Sequence, residues 1–125
     1  MNVAEPLPVI VCEQSGNWAP LLRQYDWPRQ VRWIETRSLQ ECSQRLAEQP
    51  ACLVLVEVPS ERAAALAAWT RRVEEDFPTT RVIALANHQT AWCEPLLREA
   101  GAIHVLSTAR QIGTLRPWLT RHFKT

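Results

Sequence analysis

Apolar residues fall along this chain in two alternating rhythms. Four short apolar runs, LPVIVCE (7–13), ACLVLVEV (51–58), RVIALA (81–86) and AIHVLS (102–107), read as strands. The first two are nearly continuous, the pattern of strands buried on both faces. A fifth, QVRWIET (30–36), alternates polar with apolar positions, as a strand at a sheet edge does. Between the runs the spacing becomes helical. GNWAPLLRQY (16–25) reads as a short helix capped by Asn17, with Leu21, Leu22 and Tyr25 turned inward. SLQECSQRLAEQ opens on Ser38 with Glu41 three residues on, a capping box, and Pro50 ends it. SERAAALAAWTRRVEEDF has Ser60 as its natural cap, an alanine-rich interior and the stripe Leu66, Trp69, Val73.

Two prolines set the late helices. Pro95 and Pro117 lack the amide hydrogen that a helix interior needs, so each belongs in a first turn. The fourth helix therefore starts near Cys93 or Glu94, leaving NHQTAW as a loop, and Gly101 closes it. The fifth starts near Thr114, with Leu115, Leu119 and Phe123 on one side.

Strict alternation of strand and helix predicts an α/β fold, because parallel strands need right-handed helical crossovers. Five strands are wound most simply as a doubly wound parallel sheet of order 2-1-3-4-5, and ligands of such sheets sit at the carboxyl ends of strands one and three. Glu13 and Glu57 end those two strands. The length of 125 residues suits one domain spanning 1–125.

Composition removes several classes of function. Fourteen basic and thirteen acidic residues leave a formal charge of +1, so no overall field favours nucleic acid or anionic lipid. Binding of nucleic acid through the scattered arginines would require a steep salt dependence that a near-neutral protein does not promise. No run of about 18 apolar residues could span a membrane and the start has no basic leader, so a cytoplasmic location is expected. Cys12, Cys42, Cys52 and Cys93 lie within apolar patterns without metal-site spacing, and are expected to be buried thiols. His88, His104 and His122 are scattered, with no nucleophile elbow to complete a hydrolytic triad. CEQSGNW, the first strand-to-helix turn, has one glycine and no phosphate cradle. No cofactor, metal or enzyme activity is expected.

The order of units, together with LVLVEVP, FPTTRVIALAN and REAGAIHVLSTA, resembles the receiver domain of bacterial two-component response regulators over essentially the whole chain. The resemblance implies the flavodoxin-like (CheY-like) fold and a site in which an Asp ending strand three takes a phosphoryl group from a histidine kinase. An acidic pair after strand one holds Mg²⁺ there, with a Ser or Thr after strand four and a Lys-Pro after strand five. Carried onto this sequence, the acceptor position holds Glu57, the acidic pair is Glu13-Gln14, the hydroxyl position is Ala86, and the lysine position is Thr108, followed by Ala109. Each departs from the pattern. Glu reaches ~1.5 Å farther than Asp, where a misplacement of about 1 Å can cost roughly 100-fold. Gln14 removes an anionic metal ligand, and Thr108 supplies no cation.

The expectation is a pseudo-receiver that is not phosphorylated and acts in signalling or regulation by binding a protein. The alternative is a phosphoacceptor or Mg²⁺-dependent receiver working through Glu13 and Glu57. Glu57 itself has two readings: a fixed charge imitating the phosphorylated state, although a phosphoryl group adds about 1.5 to 2 charges, or a solvated acid paired with an arginine such as Arg110. In receivers the face formed by helix four, strand five and helix five commonly carries partner or dimer contacts. Here it would offer Trp92, Leu96, Val105, Trp118 and Arg121, including the residue types that dominate interface energies. Homodimerisation through that face is one of its expected uses, and any output passes through a partner.

Overall fold

The computed structural model describes residues 5–123. Its strands are β1 (Leu7–Cys12), β2 (Val31–Thr36), β3 (Leu53–Glu57), β4 (Arg81–Leu85) and β5 (His104–Leu106). The helices are α1 (Trp18–Gln24), α2 (Leu39–Glu48), α3 (Ala63–Asp76), α4 (Glu94–Ala100) and α5 (Leu115–His122). Short 3-10 turns, Ala91–Cys93 and Ala109–Thr114, lead into the last two helices and bring Pro95 and Pro117 into their first turns, where the missing amide hydrogen does no harm. All strand pairings are parallel and the order is β2-β1-β3-β4-β5, as the alternation predicts.

The sheet divides two apolar layers. On one side β-strand side chains such as Ile10, Val54 and Val82 pack with Cys42 and Leu46 of α2, Leu66, Trp69 and Val73 of α3, and Leu97 of α4. On the other, Val9, Leu55, Ile83 and Leu85 meet Trp18 and Leu22 of α1 and Leu115 and Leu119 of α5. Three central strands are buried nearly throughout, which is why their sequences run apolar without alternation, while β2 alternates because one of its sides is open. All four cysteines are buried free thiols. Burial pushes the Cys52 thiol up to about 12. Among the described residues no helix is long and apolar enough to cross a membrane.

Two capping expectations and one burial expectation are corrected. Asn17 precedes α1 but its side chain caps nothing, because Glu13 already accepts the first helical amides. Leu21 is 41% exposed rather than inward, and Trp18, Ala19 and Leu22 form the buried side of α1. Ser60 does not cap α3: the helix begins at Ala63, after Arg62, with no side-chain cap. The Ser38 cap does form, its hydroxyl oxygen accepting from the Glu41 amide at 3.1 Å. Gly101 closes α4 with φ of 123°, a backbone angle strained for any residue with a side chain.

Candidate functional site

Register brings the two acids together. Cys12 of β1 pairs with Val56 of β3, so Glu13 and Glu57 each stand one residue beyond a paired couple on neighbouring strands. Glu57 also pairs with Leu85 of β4, which places Ala86 next along that strand, buried and without a hydroxyl.

Each acid is turned onto backbone amides. Glu13 is 4% exposed, and its two oxygens accept from the amides of Trp18 (2.9 Å) and Ala19 (2.7 Å). These are among the first amides of α1, which have no carbonyl partner within the helix, so the buried carboxylate serves as the cap and complements the helix dipole. Glu57 Oε1 accepts from the amides of Gln14 (3.1 Å) and Ser15 (3.2 Å), and Oε2 accepts from the Ser15 hydroxyl. That hydroxyl has one proton and gives it to Glu57. Its oxygen accepts from the Asn17 amide at 3.2 Å and lies 3.3 Å from Glu13 Oε1. The connection between β1 and α1 thus folds around Glu57, and Gly16, with φ of 76°, makes the left-handed turn that this requires.

The remaining expected site residues fall elsewhere. Gln14 contributes its amide to Glu57 through the backbone, while its side chain is exposed at the cleft. Thr108 is exposed, and its hydroxyl oxygen accepts from the Arg110 amide to start the turn before α5. Arg110 is not the partner of Glu57; the loop amides take that place. Ser15 was missed by the comparison of positions, although it stands two residues after Glu13, where a hydroxyl can bond locally. Thr90 was also missed. It is buried, accepts from the Asn87 amide at 2.9 Å, and helps fix the connection after β4.

These strand ends open into a cleft of about 720 Å³, walled by the connections after β1, β2, β3 and β4. The donor set does not suit Mg²⁺. An amide stands in the acidic pair, both Glu13 oxygens are held by α1, and both Glu57 oxygens are held by the loop.

The same architecture recurs in solved structures. A response regulator from Thermotoga maritima superimposes with a TM-score of 0.78 at 18% identity, covering 97% of this chain and 100% of its own. A CheY-like protein (TadZ) from Pseudomonas aeruginosa PAO1 gives 0.72 at 13%, covering 97% and 96%. The fold is that of a receiver domain. The isolated receiver domain of RcsB from Salmonella enterica serovar Typhimurium, solved in the presence of phosphomimetic BeF₃⁻, gives 0.71 at 12%, covering 94% and 90%. No protein-family model and no curated protein sequence matches the chain.

Of the expected interface residues, four reach the surface in part or in full. Trp92 is 67% exposed in the turn before α4, and Leu96 of α4 is 37% exposed. On α5, half-buried Trp118 carries the Arg121 guanidinium 5.1 Å from its ring centre and packs 5.7 Å from the His104 ring. Val105 is a correction: at 4% exposed it belongs to the core, because its side chain points inward from β5 onto the layer containing Leu97 and Ala100.

Proposed function

We propose that this receiver fold works as a pseudo-receiver, a non-enzymatic signalling or regulatory module that binds a protein partner without being phosphorylated. The observation that carries the reading is the fate of the two carboxylates. Glu57, at the acceptor position, already accepts from two amides and a hydroxyl, and Glu13 is committed to the start of α1. A nucleophilic carboxylate would have to release those bonds and then find a metal, a hydroxyl at Ala86 and a cation at Thr108. On this reading Glu57 acts as a latch: its charge holds the connection between β1 and α1 in one arrangement, the task that a reversible modification performs in a switching receiver.

Output then passes through the surface of α4, β5 and α5. Trp92, Leu96, Trp118 and Arg121 supply the apolar, aromatic and guanidinium groups that anchor interfaces, and a second copy of the chain is one partner that this surface could take. A cytoplasmic site of action fits the reading.

The test is incubation with Mg²⁺ and acetyl phosphate followed by intact mass measurement under neutral conditions. The proposal expects no phosphoryl adduct on the wild-type chain. An adduct that is lost in Glu57→Gln would establish the phosphoacceptor alternative.

A further inference from the structure

The cleft has a feature that the latch does not use. Arg37, in the connection from β2, and Arg62, in the connection from β3, line its two walls, and both are exposed. The ion pairs among the described residues involve Arg23, Arg45 and Arg98, so neither cleft arginine has a carboxylate partner. The two acids that line the cleft are engaged elsewhere: Glu13 with α1 and Glu57 with Gln14 and Ser15. A Cβ built on Gly16 would lie 3.7 Å from Arg37 Nη1, which places that guanidinium beside the loop that Glu57 holds.

We infer that the cleft binds a small phosphorylated metabolite of nucleotide size, without metal, with its phosphate held between Arg37 and Arg62. The inference rests on the pseudo-receiver reading, since it requires that the acids be occupied by amides. Two guanidiniums on separate walls match a phosphate dianion, which accepts forked bonds from both, better than a monocarboxylate, which one arginine satisfies. The start of α3 adds to the same field. This 14-residue helix begins just after Arg62 with no side-chain cap and no acid in its first turn, and Ala65 lines the cleft. Its first amides are therefore left for water or an anion.

Size and lining set the rest of the ligand. A volume of about 720 Å³ exceeds what a lone phosphate needs and lies in the range of pockets for small organic ligands. Leu39 and Pro59 offer apolar surface, while the side-chain amides of Gln40 and Gln89 offer donors and acceptors for the edge of a base.

The test titrates AMP, GDP and inorganic phosphate into the full chain by calorimetry, first in EDTA and then in excess Mg²⁺. Wild type, Arg37→Ala and Arg62→Ala are compared after circular dichroism has shown each to be folded. Saturable binding of a nucleotide in EDTA, weakened by about 10-fold or more in each variant, is expected, as the loss of one charge-assisted contact implies. No saturable binding in EDTA below about 5 mM, or nucleotide binding indifferent to both substitutions, would overturn the inference alone. Binding that appears only with Mg²⁺ would likewise overturn the inference, which is of metal-free binding, while the pseudo-receiver reading is decided separately by the acetyl phosphate assay.

Discussion

Replacing Glu13 with alanine removes the acceptor of two buried amide bonds, at 2.9 Å from Trp18 and 2.7 Å from Ala19. A buried amide left without a partner costs about 1–3 kcal/mol. Water reaching the vacated space would recover part of that, so the two together come to about 2–4 kcal/mol for Glu13→Ala. Against a total stability of roughly 5–15 kcal/mol, this is a large fraction. For a domain of this size it lowers Tm by about 10 °C or more. Glu13→Gln keeps one carbonyl oxygen but turns its NH₂ against the second amide and loses the charge at the helix start, so about 1–2 kcal/mol is expected. Urea titration followed by far-UV circular dichroism measures both, with an unchanged m-value required for the comparison. A Glu13→Ala protein within about 0.5 kcal/mol of wild type would refute the capping role, because that is the scatter of surface substitutions. An ordering with Gln worse than Ala would refute it equally.

Other consequences follow from buried and surface groups. The His122 ring is half-buried, with Nε2–H donating to the Ala51 carbonyl at 3.0 Å; desolvation, with Arg81 adding to it, lowers its pKa below the ordinary value. The unfolded chain then takes up the proton first as pH falls, so stability should decline from pH 7.5 toward 5.5, and His122→Asn should flatten that decline in urea titrations. A slope unchanged by the substitution would assign the effect elsewhere. The four cysteines should fail to react with a thiol reagent at pH 8 in the native state and react fully in guanidinium; rapid labelling of even one native thiol would contradict their burial. Trp92→Ala should leave stability within about 0.5 kcal/mol of wild type, since the side chain is largely in solvent. Trp118→Ala should cost more, because it loses the stacking on His104 and Arg121; equal melts for the two would show that the α5 cluster contributes nothing.

The fold was legible because its signals are local and mutually consistent. Continuous apolar runs marked the strands buried on both faces, alternation marked β2 as an edge, and Pro95, Pro117 and Gly101 set the ends of the last helices. The placement of Glu13 and Glu57 at neighbouring strand ends followed from topology alone. What each acid bonds to did not. Asn17 and Ser60 are ordinary cap residues by type, yet a carboxylate five residues before α1 took the first role, and α3 started too late for the second. Competition of this kind depends on how a loop folds in three dimensions, which residue type does not encode. Val105 shows the same limit: in a three-residue strand, the direction of one side chain rests on register. Arg37 and Arg62 lie 25 positions apart in the sequence and meet at one cleft only through the order of the strands.

The central claim is that amide donors already occupy the carboxylates at the strand ends. A titration of Mg²⁺ into uniformly ¹⁵N-labelled protein, following the amides of Gln14, Ser15, Trp18 and Ala19, tests it most directly. All four should stay in place up to the concentration at which nonspecific surface shifts begin, and Glu57→Gln should move the Gln14 and Ser15 amides in the absence of metal. Saturable, Mg²⁺-dependent displacement of the Gln14 and Ser15 signals in the wild-type chain would contradict the account.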